Sequence, residues 1–100
     1  MNAIATINDQ FRKSWKDVMF TPGVLMNVTH HLGLAQAVHS YDDFNEDNDP
    51  WNEHDFGSFT FEGQKIFWKI DYYDQELKSW GDPLDDKCRR VITVMLAEDY

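Results

Sequence analysis

Seven carboxylate side chains lie close together near the middle of the chain, with no lysine or arginine among them. Carboxylates at this density attract divalent cations or basic protein surfaces, and they repel the phosphates of nucleic acids and membranes. The chemistry that the stretch offers is therefore electrostatic, and we expect it to bind neither nucleic acid directly nor a membrane. The seven residues are Asp42, Asp43, Glu46, Asp47, Asp49, Glu53 and Asp55.

Almost all of the net negative charge of the chain falls within residues 42–62. The formal net charge is −9, and residues 42–62 contribute −8 of it, whereas residues 1–41 contribute +1 and residues 63–100 contribute −2. A charge concentrated in one place speeds association with a basic partner. Phe44, Trp51 and Phe56 are interleaved with the carboxylates, and aromatic side chains often dominate the binding energy of interfaces. We therefore predict a partner-binding surface on residues 42–55, the acidic segment, with Trp51 as its apolar anchor.

Two other interpretations of the acidic segment stay open. An EF-hand loop needs oxygen ligands at positions 1, 3 and 5, glycine at position 6 and glutamate at position 12. Counted from Asp43, position 6 is Asn48 and position 12 is His54, so the strict pattern fails. The segment is otherwise a solvated loop whose side chains bond the backbone. A looser divalent-cation site, or a metal-dependent enzyme built on it, would use Asp43, Asn45, Asp47 and Asp49.

No catalytic motif stands out elsewhere. Cys88 is the single cysteine, which excludes an internal disulfide and suits a reducing compartment. Its neighbours Lys87 and Arg89 would lower the pKa of its thiol, but no histidine is placed beside it by sequence. The chain shows neither a signal-peptide pattern nor an apolar stretch of membrane-spanning length. We therefore predict a cytoplasmic protein that is not an enzyme and needs no cofactor.

Two helices are predicted in the first half of the chain. Residues 4–15 place apolar side chains at three- and four-residue spacing, which aligns them on one helix face. Asn2 is a suitable N-cap for this helix. A second helix is predicted over about residues 29–40, and residues 24–28 fit either a strand or a helix start. The predicted apolar face of the first helix comprises Ile4, Ile7, Phe11 and Trp15.

The second half carries strand patterns. Residues 58–61 alternate polar and apolar side chains, and residues 65–73 place Ile66, Trp68, Ile70 and Tyr72 on one strand face. The turn residue Gly63 between the two runs predicts a β-hairpin. Residues 18–20 predict a short strand, and residues 89–97, apolar on both faces, predict a central strand. Residues 74–87 are predicted to be a connecting loop. Together these elements predict one α+β domain over residues 1–100, with two helices packed on a three- to four-stranded antiparallel sheet in two layers.

Four stretches resemble the signature of a small bacterial family: DDFNEDNDP at residues 42–50, EHDFG at 53–57, IFWKIDYYD at 66–74 and MLAEDY at 95–100. The resemblance extends from Ile7 onward. The family is a domain of unknown function found in proteobacteria and mobile elements, so it implies a bacterial, phage or plasmid origin and supplies no site residues.

Small acidic proteins of such mobile elements include inhibitors that imitate DNA, among them anti-CRISPR and anti-restriction proteins. By this analogy of size, charge and origin, we predict that the acidic segment imitates the phosphate path of a duplex. It would then block a basic nucleic-acid-binding protein, such as a CRISPR effector complex, by occupying the channel that holds the nucleic acid.

Overall fold

The computed structural model describes residues 2–14 and 17–100 and shows helices packed against a four-stranded sheet. The predicted α+β class is confirmed, but the described residues form three helices rather than the two predicted. In chain order the elements are α1 (Ala3–Ser14), β1 (Val18–Phe20), α2 (Pro22–Asn27), α3 (His31–His39), β2 (Phe56–Phe61), β3 (Gln64–Tyr73) and β4 (Arg89–Leu96), followed by a 3-10 turn over Ala97–Asp99.

The strands lie in the order β1–β4–β3–β2, and the sheet is mixed. The predicted hairpin forms between β2 and β3, and β4 is a central strand as predicted. The prediction of a wholly antiparallel sheet was wrong, because β1 pairs with β4 in parallel. Alternating side chains determine which face each residue occupies, but they carry no information on strand direction. Most of the chain separates β1 from β4, so no tight turn sets their relative direction.

The core lies on one face of the sheet, under α2 and α3. The predicted alternation in β3 buries Ile66, Trp68 and Ile70 on that face. Side chains from both helices cover them, and a neighbouring row from β4 completes the cluster. These covering residues are Val24, Leu34 and Val38 from the helices and Ile92, Val94 and Leu96 from β4.

The segment that fitted either strand or helix is helical. Thr21 caps α2 by accepting a hydrogen bond from the N–H of Val24 to its Oγ1 at 3.4 Å. Pro22 follows at the first helical position, where its missing N–H costs nothing. α2 ends at Asn27, and the predicted second helix begins later than expected, at His31.

α1 buries a different face from the predicted one. Asn2 caps it as predicted, since its Oδ1 accepts a hydrogen bond from the N–H of Ile4 at 2.7 Å. The fully buried positions, however, are Ala5, Asn8 and Arg12. Two of these three side chains are polar, so the helix directs hydrogen-bonding groups into the interior. The predicted stripe Ile4, Ile7 and Phe11 is half-buried, and the prediction for Trp15 lies outside the described residues.

Glu62, in the turn between β2 and β3, links the hairpin to the start of α3 through hydrogen bonds. Its carboxylate accepts hydrogen bonds from the N–H of Thr29 at 2.9 Å and from the N–H of His30 at 2.8 Å. These backbone bonds, that of Thr29 first, hold the pKa of the Glu62 carboxyl below its ordinary value of 4.5. The charged form of the carboxyl is thus favoured by folding.

Glu62→Gln is expected to remove part of the pH dependence of stability. Because the pKa is lower in the folded state, the stabilisation is fully present above the ordinary value and disappears as the pH falls through the lowered one. The melting temperature of the wild type should therefore drop more than that of the variant between neutral pH and about pH 3. The matched control is Glu98→Gln, which changes an exposed glutamate in the 3-10 turn. Equal drops in wild type and Glu62→Gln would contradict the role of Glu62.

Across the described residues, no helix has both the length and the apolar character needed to cross a lipid bilayer.

Candidate partner-binding surface

The first half of the acidic segment is a loop shaped by its own side chains. Asn45 Oδ1 accepts hydrogen bonds from the N–H groups of Asp47 and Asn48, at 2.9 and 3.1 Å. Asn48 in turn receives the N–H of Asn45 on its Oδ1 at 2.9 Å, and it donates to the carbonyl of Asp43 at 2.8 Å. Bonds of this kind replace those of a helix or strand. This part of the segment therefore has a defined conformation, in which the side chains of Asn45 and Asn48 satisfy backbone N–H and C=O groups.

Asp49 anchors the second half of the segment from inside. It is buried, and its Oδ1 accepts hydrogen bonds from the N–H groups of Glu53 at 3.0 Å and His54 at 3.2 Å. Asn52 and His54 both have a φ of +57°, a backbone conformation that needs such support in residues other than glycine. The contact of Asp49 with a partner stays a prediction, and its buried position and these bonds favour a supporting role for its side chain.

His54 joins the acidic segment to α1. Its Nδ1 lies 3.0 Å from Asp9 Oδ1, and its Nε2 lies 3.6 Å from Asp49 Oδ2. The ring stacks face to face on Phe44, with centroids 3.9 Å apart and planes 1° from parallel. The imidazole thus bridges two carboxylates that lie far apart in the sequence.

Arg12 completes this cluster from the interior side. Its side chain is 3% exposed, and it donates from Nη1 to Asp9 Oδ1 and from Nη2 to the carbonyl of Tyr41, each at 3.0 Å. The guanidinium carbon lies 5.4 Å from the centre of the Phe44 ring and 5.3 Å from that of Trp68. Charge-assisted bonds and cation–π contacts are strong in a buried setting. The start of the acidic segment is therefore fixed to the core through Arg12.

A second polar network holds the end of the segment. Asn8 donates from Nδ2 to the carbonyl of Glu53 at 3.0 Å and to the hydroxyl of Tyr72 at 2.8 Å. The Tyr72 hydroxyl donates to Glu53 Oε1 at 2.8 Å, and Arg90 Nε donates to Asn8 Oδ1 at 2.6 Å. Burial raises the pKa of the Tyr72 hydroxyl well above its ordinary value. Burial, followed by the nearby Glu53 carboxylate, likewise raises the pKa of the Asp55 carboxyl.

The structure divides the predicted contact residues into two groups. Asp49 is buried, and Glu53 and Asp55 are half-buried. Trp51 is 79% exposed. The exposed carboxylates are Asp42, Asp43, Glu46 and Asp47.

Folding withdraws both positive and negative side chains from the surface. The buried charged side chains of the described residues are two arginines, Arg12 and Arg90, and a single acid, Asp49. Neither guanidinium therefore lies at the surface, where it would compensate an exposed carboxylate. None of the sequence patterns indicated this, because an arginine usually lies at the surface.

Two of the four side chains of the looser cation site, those of Asn45 and Asp49, are engaged in backbone capping. Asn45 Oδ1 and the Asp49 carboxylate both accept backbone N–H groups. Within residues 2–14 and 17–100, no three or more His, Cys, Asp or Glu side chains are grouped so that they could hold a metal ion.

Cys88 is half-buried, and burial raises the pKa of its thiol. The expectation that its charged neighbours lower this pKa was wrong, because desolvation of the thiolate outweighs the positive charge nearby. The positive charge that acts most strongly on the thiol belongs to Arg90 rather than to Lys87 or Arg89.

The fold and this surface define a small α+β domain with a mixed four-stranded sheet and an ordered acidic loop. The chain belongs to the family described as "Protein of unknown function (DUF3768)", whose model matches residues 20–99. The match covers the acidic segment and both central strands, and it confirms the predicted membership of a family of unknown function. Comparisons with curated proteins and with solved structures gave no match.

Proposed function

We propose that this protein is a non-enzymatic inhibitor that binds a basic, nucleic-acid-binding bacterial complex, of the CRISPR-effector kind, through the exposed side of the acidic segment. The observation that carries the proposal is an ordered loop with four exposed carboxylates beside an exposed tryptophan. No lysine or arginine interrupts this loop. The carboxylates would occupy the positions that phosphates take in the partner's channel.

The fixed backbone supports this proposal on energetic grounds. A flexible acidic tail loses conformational entropy when it binds, whereas a loop already held in place loses much less. Asp49, His54 and Arg12 hold the two ends of the loop. Glu46 and Asp47 lie between them, in the turn that the Asn45 side chain caps. Trp51 adds a large apolar surface of the kind that often anchors interfaces.

The arrangement of the titratable groups supports binding rather than catalysis. His54 and Asp49 lie beside each other, and Asp49 also bonds backbone amides. Glu53 accepts the hydroxyl hydrogen of Tyr72. These groups therefore bond to one another and to the backbone, which is what a support for the surface residues requires.

Glu46→Gln/Asp47→Asn is expected to weaken partner binding about ten-fold and to make it less sensitive to salt. The partner is first captured on the immobilised protein from bacterial lysate at low salt, released at high salt and identified by mass spectrometry. Binding of the purified partner is then measured by calorimetry over a series of salt concentrations. Both substitutions remove charge while keeping side-chain size, so the loop should stay folded.

Glu98→Gln/Asp99→Asn is the matched control, because it removes the same charge from exposed residues of the 3-10 turn. It should leave affinity and salt dependence close to those of the wild type. If both double variants weaken binding equally, the effect comes from net charge and the proposed surface is wrong. Retention of proteins that do not handle nucleic acid would equally contradict the proposed target.

A further inference from the structure

The loop between β3 and β4, residues 74–88, holds large apolar side chains in solvent. Trp80 is 71% exposed and Leu84 is 57% exposed, and Leu77 is also exposed. Apart from one isolated bridge between Tyr73 and Trp80, the loop contains neither helix nor strand. Structureless loops of this length are uncommon in compact domains, and those that are ordered often carry function. Several large apolar side chains exposed within one loop make that loop a candidate binding surface.

Hydrogen bonds and close packing tie the loop to the sheet. Gly81 is buried, and a Cβ atom there would clash with the carbonyl oxygen of Tyr73, so glycine lets the loop lie directly against β3. Gly81 also donates its N–H to the carbonyl of Tyr72 at 3.2 Å. On the other side, Arg90 Nη2 donates to the carbonyl of Pro83 at 2.6 Å.

Three aspartates complete this framework by capping turns within the loop. Each accepts the backbone N–H of the residue two positions further on, which is an Asx turn. Trp80 and Leu84 are therefore held outward by a fixed backbone, and binding through them would require little ordering. The capped pairs are Asp74–Glu76 at 3.1 Å, Asp82–Leu84 at 2.9 Å and Asp85–Lys87 at 2.9 Å.

The charge around the apolar side chains determines the kind of partner. Asp82, Asp85 and Asp86 are exposed near Leu84 in the loop, and a cavity of about 540 Å³ beside Trp80 is lined by four acids against one base, Lys87. Anionic membrane surfaces and a second copy of this acidic chain would both be repelled. A protein segment that carries positive charge beside apolar residues is complementary to both features.

We propose that residues 74–88 form a second docking surface, for a partner segment in which leucine or aromatic side chains are flanked by lysine or arginine. The apolar side chains of that segment cover Trp80 and Leu84, and its cations meet Asp82, Asp85 and Asp86. The surface is distinct from the acidic segment and does not require the function proposed above.

The two surfaces nevertheless lie at the same end of the sheet. Asn8 bonds the carbonyl of Glu53 in the acidic segment, and Arg90 joins Asn8 to the carbonyl of Pro83 in the loop. A single basic partner can therefore reach both surfaces at once, which would raise its affinity through linked binding.

Fluorescence anisotropy with three labelled peptides of equal length tests the docking surface. One alternates leucine with arginine, the second replaces leucine by serine, and the third replaces arginine by glutamine. The leucine–arginine peptide is expected to bind at least about ten-fold more tightly than either of the others. Trp80→Ala and Asp86→Lys should each weaken its binding about ten-fold. Leu32→Ser, at a similarly exposed leucine in α3, is the control and should change nothing.

Each of the following results would contradict the proposed docking surface. Equal binding of the serine–arginine peptide would mean that charge alone attracts the probe. Weakening by Trp51→Ala but not by Trp80→Ala would place the probe on the acidic segment. Failure of the leucine–arginine peptide to bind would remove the surface altogether, whatever the lysate experiment shows. Circular dichroism of each variant confirms that the fold is kept, and Asp86→Lys leaves the apolar side chains intact.

Discussion

Replacing Arg12 by alanine is expected to lower the free energy of unfolding by about 3–5 kcal/mol, as removal of one partner from a buried charge pair generally does. The substitution leaves the Asp9 carboxylate without its guanidinium and the carbonyl of Tyr41 without its donor. It also removes the packing of the guanidinium between Phe44 and Trp68. Urea unfolding followed by circular dichroism measures the loss directly.

Two further substitutions separate charge from packing at this position. Arg12→Met restores most of the apolar volume but not the hydrogen bonds, so it should recover only part of the loss. Lys13→Ala, at the exposed neighbouring position, should change stability by less than about 0.5 kcal/mol. If Arg12→Ala is no more destabilising than Lys13→Ala, the buried cluster does not stabilise the fold.

The strands were predictable because their signal is local. Ile66, Trp68 and Ile70 recur at every second position of β3, which places them on one face of the strand without reference to the rest of the chain. The parallel pairing of β1 with β4 was not predictable, since it depends on the path of the chain through α2 and α3. The sequence therefore identified the elements, but the topology required the structure.

The buried face of α1 shows a second limit of sequence reasoning. Ile4, Ile7 and Phe11 form the more apolar stripe, yet Asn8 and Arg12 are buried instead. A polar side chain can be buried when it finds hydrogen-bond partners, and here those partners come from distant parts of the chain. No periodicity within the helix carries that information.

At the candidate surface, the density of carboxylates was visible in the sequence, but their division into exposed and supporting groups was not. Asp47 and Asp49 have the same side chain two residues apart, and only the turn between them decides which one is buried. No sequence pattern indicated the contact between His54 and Asp9, because these residues are far apart in the chain. Residues 74–87 were similarly predicted to be only a connecting loop, since the exposure of Trp80 depends on what packs beside it.

Asp49→Ala is expected to destabilise the protein by at least about 2 kcal/mol, since each amide deprived of its acceptor costs about 1–3 kcal/mol. The affected amides are those of Glu53 and His54, and the His54 ring also loses the carboxylate beside its Nε2. Hydrogen exchange measured by NMR should show faster exchange of these two amides than in the wild type. Amides in β3 should change only as far as global stability does.

Asp49→Asn distinguishes the support role of Asp49 from a contact role. Asparagine keeps an acceptor oxygen, so the variant should retain most of the stability while losing the negative charge. Because Asp49 is buried, the same variant should bind the basic partner nearly as well as the wild type, whereas Asp47→Asn should bind it more weakly. If Asp49→Asn weakens binding as much as Asp47→Asn does, without loss of stability, then Asp49 acts at the interface. The division of the acidic segment into exposed and supporting carboxylates would then be wrong.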